Sequence, residues 1–147
     1  MIEKKSLIAI LAGALASVAI AADDPRDVRH ELMEGVGDAA KVIGGMLKGE
    51  VDYDAAEATH SLKVFEHAAS QLGDLFPESS ESGKGTEAAP AIWDDRDGFE
   101  AALRDWQGAI ADAKAADAQT LEEAKPVLGA IFKTCKNCHD GYRIKDE

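Results

Sequence analysis

Cysteine occurs only at Cys135 and Cys138, and His139 follows directly, in the stretch CKNCH close to the end of the chain. Side chains at i, i+3 and i+4 of a helix share a face, so the two thiols and the imidazole project together if this segment is helical. Two thiols so placed can form thioethers with the vinyl groups along one edge of a haem while the imidazole reaches the iron. C-x-x-C-H is the spacing of c-type haem attachment. Three other readings compete. A redox-active C-x-x-C wants its cysteines at the start of a helix that follows a strand, and no strand signal precedes this one. Structural zinc needs a second ligand pair, and His30, His60 and His67 show no matching spacing. Two idle core cysteines would be unusual in an exported chain.

If His139 holds one side of the iron, the other side decides the chemistry. A strong sixth ligand makes an electron carrier, whereas an apolar or absent one leaves a site for a small gas. After residue 21 the chain offers Met33, Met46, His30, His60 and His67. Met33 and Met46 are separated by roughly 20 Å along a helix and point to different faces, so only one can serve. Met33 lies near the start of the first helix, which in an up-down-up-down bundle is beside the end of the fourth. It is the candidate for the distal position, with core filling as its alternative role. His30, one turn away, is a weaker candidate, and His60 and His67 fall with Lys63 on a polar face. Arg29 and Arg143 each lie one turn from a residue at the haem. Either can pair with a propionate or stand as an ordinary surface charge. Trp93 either packs over the haem edge or closes the core.

The elements that must position these residues are helices. Val, Ile and Thr do not alternate over any useful length, while Ala, Glu, Lys and Leu recur at helical spacing. The first helix is expected over about 27–48, with Asp24 as N-cap, Pro25 in its first turn and Gly49 just past its end. The second runs from near Asp54 to Phe76, where Pro77 stops it. One long loop, PESSESGKGTEAAPAIW, follows. The third covers about 95–116. The fourth opens on a capping box of Thr120 and Glu123 and runs to about Tyr142, with Pro126 expected to kink it or delay its start. Each helix carries one apolar stripe, so the fold class is all-α, an antiparallel up-down-up-down four-helix bundle.

The chain has 147 residues with 46% hydrophobic content, enough for one cored domain. Residues 1–21 read as a signal peptide: Lys4 and Lys5, an apolar run, and an Ala19-Ile20-Ala21 cleavage site. An uncleaved anchor is the alternative, against which the run is short and contains Gly13 and Ser17. Residues 22–147 are then the mature haem domain, expected in the periplasm. The formal net charge of −12 repels nucleic acid and anionic membrane and favours basic redox partners. There is no serine–histidine–acid pattern, glycine-rich phosphate loop or second metal cluster to suggest an enzyme.

Taken together, these residues resemble the cytochrome c-prime family, over nearly all of the chain after residue 21. The resemblance rests on Arg29-x-x-x-Met33, KGEVDYDAA, LFP, PAIWDD and CKNCHDGYR. It implies a left-handed four-helix bundle, one haem c bound covalently to Cys135 and Cys138, and His139 as proximal ligand. In the gas-binding branch, the position of Met33 holds a non-ligating residue and that of Arg143 lies beside the proximal face. In the low-spin branch, to which KGEVDYD and LFPES look closer, a methionine near the start of the first helix ligates the iron. The first branch implies nitric oxide or carbon monoxide as ligand, the second an electron carrier. Relatives of the gas-binding kind are often dimers, so monomer and homodimer both stay open.

Overall fold

The computed structural model describes residues 23–144 apart from residue 84, so the expected leader lies outside the described residues. Four long helices account for most of it: α1 (Pro25–Lys48), α2 (Ala55–Gln71), α4 (Arg96–Ala116) and α5 (Leu121–Tyr142), with a one-turn α3 (Ala91–Asp94) before α4. The expected bundle is present, and no β-strand is found among the described residues.

Local chemistry fixes where each helix begins. The Asp24 carboxylate accepts from the Arg26 backbone N–H, Asp54 from Ala56 and Glu57, and Asp95 from Gly98. Each cap satisfies donors that the first turn leaves without an intrahelical partner. Thr120 and Glu123 form the reciprocal capping box that opens α5. Gly49 closes α1 with φ 74°, the left-handed conformation that glycine adopts without a Cβ clash. Gly98 is required for a different reason. A Cβ there would lie 2.2 Å from Asp95 Oδ2 and 2.5 Å from the Tyr142 hydroxyl, displacing the cap of α4.

Two expectations about helix ends are corrected. The second helix does not continue in α form to Phe76; it leaves that geometry after Gln71 and tightens into a 3-10 turn over Leu72–Leu75. Gly73 permits the close approach to Leu103 there, and Arg96 donates to the carbonyls of Gly73 and Phe76, holding the turn against α4. Pro126 does not delay the fourth helix, which runs unbroken from Leu121. The long loop also holds more structure than expected, a 3-10 turn at Glu78–Ser80 and α3.

The core is the set of stripes turned inward: Val36 and Ile43 from α1, Leu62 and Phe65 from α2, Leu103, Trp106 and Ile110 from α4, Leu128 and Ile131 from α5. Met46 is buried at 3% exposure on this core, so the second methionine of α1 is a packing residue. α4 packs along α5, α1 along α2, and α2 against α4, while contact between α1 and α5 is sparse. The site lies in the gap between those two.

Candidate haem site

The gap is a cleft of about 480 Å³, within the size of small-molecule and cofactor pockets. Cys135, Cys138 and His139 line one wall from the last turns of α5, and Met33 lines the other from α1. Val36, Leu72, Phe76, Ile92, Phe99 and Phe132 make the interior apolar. Phe76 meets Phe99 edge to face at 4.8 Å, and Phe99 meets Tyr142 likewise at 5.5 Å. This aromatic run ties the segment that follows α2, the start of α4 and the end of α5 together beneath the cleft. Tyr142 is fixed further by its hydroxyl, which donates to Asp95 Oδ2 at 3.1 Å.

The two thiols line the cleft from α5. Both are free and half-buried, and burial pushes both pKa values up. Redox-active C-x-x-C motifs depend on the opposite shift. His139 keeps a solvent-exposed edge, yet burial on its cleft side, and then the Arg143 guanidinium, hold its pKa below the ordinary value. A neutral imidazole is the form that ligates a metal. Among the described residues no group of three or more His, Cys, Asp or Glu side chains is gathered to hold a metal ion by itself; what the cleft offers on this wall is two thiols and one imidazole. With a thioether on the opposite wall of an apolar cleft, that donor set fits haem c and not structural zinc.

Arg29 is placed differently from a surface charge. It is buried at 7% exposure, and its two terminal nitrogens donate to the carbonyl of Leu75 (2.8 Å), to Ser80 Oγ (2.9 Å), to the Ser80 carbonyl (3.3 Å) and to Thr86 Oγ1 (3.2 Å). Its guanidinium also lies 4.5 Å from the Phe76 ring centroid. It therefore clamps the loop that walls the cleft, and burial lowers its pKa. Arg143 lines the cleft from the end of α5 and donates to Glu87 Oε2 at 2.7 Å. Around this pair the loop and the chain end form a short antiparallel bridge, with Ala89 N–H to the Tyr142 carbonyl and Ile144 N–H to that of Glu87.

His30 also lines the cleft but stays exposed and pairs with Glu34 at 3.6 Å. His60 and His67 are exposed on α2 away from the cleft, as expected. Trp93 does not line it; it packs on Phe76 at 6.0 Å, behind the cleft wall. Sequence reasoning missed Glu87, Thr86 and Phe132. Phe132 lies one turn before Cys135 and was legible as cleft-facing; Glu87 and Thr86 meet their partners from 56 and 57 residues away, and no local pattern marks them.

A four-helix bundle with a C-x-x-C-H face opposite a methionine defines a c-type cytochrome. The family model described as Cytochrome C' matches residues 24–143, and the chain belongs to that family. A cytochrome c' from Rhodopseudomonas palustris is 34% identical, covering 96% of this chain and 98% of the relative. A cytochrome c-556 from the same organism is 36% identical, covering 93% and 96%. The solved cytochrome c' of Rhodopseudomonas palustris superposes with TM-score 0.81 at 31% identity, covering 86% of this chain and all of that one. A nitric oxide complex of a mutant cytochrome c prime from Alcaligenes xylosoxidans superposes with TM-score 0.73 at 26% identity, covering 82% and 94%. Family membership carries one cofactor with it, covalently bound haem c with its iron.

Proposed function

We propose that this chain is a periplasmic one-electron carrier and not an enzyme, in which Met33 and His139 would hold the iron. The observation that carries this reading is the presence of Met33 in the same cleft as Cys135, Cys138 and His139, on the facing helix. The bound haem supplies one-electron iron redox. The protein supplies everything that keeps that exchange simple. Cys135 and Cys138 tether the group, and His139 and Met33 offer a nitrogen and a sulfur that suit ferric and ferrous iron alike. Phe76, Phe99 and Phe132 exclude water, and the Arg29 clamp keeps the loop wall in place. Relatives named cytochrome c-556 and relatives named cytochrome c' both resemble this chain, so the reading rests on the residues of the cleft.

A second reading is a gas-binding module in which Met33 only fills space. The nitric oxide complex of the Alcaligenes protein favours it, since that protein shares the bundle. Absorption spectra of the oxidised and reduced holoprotein, with and without carbon monoxide, separate the two. Sharp low-spin bands that carbon monoxide leaves unchanged support the carrier. Met33→Ala should then turn the spectrum high-spin and admit carbon monoxide. A native protein that is high-spin and binds carbon monoxide would overturn the carrier reading.

A further inference from the structure

Glycine is unfavourable inside a helix, since it loses more backbone freedom on ordering than any other residue and brings no side chain to pack. Yet α1 carries Gly35, Gly37, Gly44 and Gly45. None of them has the positive φ that would call for glycine; among the described glycines that conformation belongs to Gly49, Gly83 and Gly85. A Cβ at Gly35 would touch Val64 of α2 at 3.9 Å, and one at Gly45 would touch Val51 at 3.6 Å, so both face other parts of the protein. A Cβ at Gly37 or Gly44 would meet nothing within 4 Å. Of these two, only Gly37 lines the cleft.

Gly37 stands one turn beyond Met33, and Ala40 follows in the next turn. Positions i, i+4 and i+7 share a helix face, and all three residues line the cleft. Over the ~6 Å of helix from residue 33 to residue 37, the α1 wall falls from a long side chain to bare backbone. Across the gap α5 presents Phe132 and Cys135. α1 is packed along α2 and touches α5 little, so direct helix packing does not fix how near the two walls stand. The bulk of the side chains on each wall then decides how closely a group held by α5 can approach α1.

We infer that Gly37 is a positioning residue for the haem: its bare backbone lets the group seat close enough to α1 for Met33 to reach the iron. The inference rests on the electron-carrier reading, in which Met33 is a ligand. Methionine is unbranched and adapts to small shifts, so a methyl at residue 37 weakens the approach and a full side chain prevents it. If Gly37 were an idle helix position instead, alanine there would only strengthen α1. The two accounts give opposite signs for one substitution.

The test compares the native holoprotein with G37A and G37L, and with G44A and G44L, which make the same changes on α1 away from the cleft. Absorption spectra of both oxidation states, their loss on heating and titration with carbon monoxide are the readouts. G37L should turn high-spin. Its carbon monoxide affinity should rise about tenfold or more, because a ligating Met33 lowers apparent gas affinity in proportion to the iron it leaves free. G37A should stay low-spin when cold but lose that spectrum at a lower temperature than the native protein, whereas G44A should lose it at the same temperature or a higher one. G44L should keep the native spectrum. A low-spin G37L with native gas affinity overturns the inference, as does a G37L effect that G44L reproduces. If G37L takes up no haem, the sign of the G37A shift decides: a low-spin spectrum lost at or above the native temperature overturns it. A native protein that is high-spin would instead sink the carrier reading, and the role of Gly37 with it.

Discussion

Arg143 Nε donates to Glu87 Oε2 at 2.7 Å, joining the turn that follows His139 to a loop 56 residues earlier in the chain. The pair lies beside the His139 imidazole, where the guanidinium and the carboxylate act on it in opposite directions.

Removing the carboxylate should therefore be felt at the iron. In Glu87→Gln the Arg143 charge is no longer offset, and a positive surrounding favours the reduced state. The reduction potential should rise. If the carboxylate's interaction with the oxidised site is of the size of an exposed charge pair, about 0.2–1 kcal/mol, the rise is roughly 10–40 mV for one electron. Spectroelectrochemical titration of the two holoproteins checks it; a potential that falls would show that Glu87 acts otherwise.

Arg29 should matter to stability more than its place beside a cofactor cleft suggests. Arg29→Ala leaves the Leu75 carbonyl and the Ser80 and Thr86 acceptors without their shared donor, some of them buried. Losing a buried charge-assisted hydrogen-bond set costs about 2–4 kcal/mol. Denaturant unfolding of the holoprotein should show that loss, and limited proteolysis should cut faster between residues 75 and 88.

The capping box gives α5 an acid-sensitive start. Hydrogen bonds from the Gln119 backbone, from Thr120's side chain and from its backbone lower the Glu123 pKa. A depressed folded-state pKa adds stability that is present above the ordinary glutamate value of about 4.3 and lost as pH falls through the lower folded value. Glu123→Gln should therefore melt below the native protein at neutral pH, and the difference in Tm should shrink as pH falls below about 4. A gap independent of pH would assign the effect to something other than the carboxylate.

What the sequence made legible was mostly local. Asp24, Pro25 and Gly49 bracket α1, and Thr120 with Glu123 opens α5, because caps act over a few residues of chain. The C-x-x-C-H face and Met33 were legible because helical periodicity and bundle topology place them without knowledge of other side chains. Arg29 was not: its four acceptors lie 46 to 57 residues away, so nothing beside it in sequence shows that it is buried. Trp93 was ambiguous for the same reason, and its position behind Phe76 follows from how the one-turn α3 packs. The end of α2 was misjudged because the apolar spacing continues through Phe76, while Gly73 and Arg96 change the geometry before Pro77 is reached.

The sparse contact between α1 and α5 bears on how the molecule is held together. The first and last helices of the domain are parted by the cleft, so the group that fills it joins the beginning of the chain to its end. A haem held at Cys135 and Cys138 would bridge α5 to α1 and Met33 across the cleft, so losing the group should loosen the first helix against the last more than any other pair of neighbours.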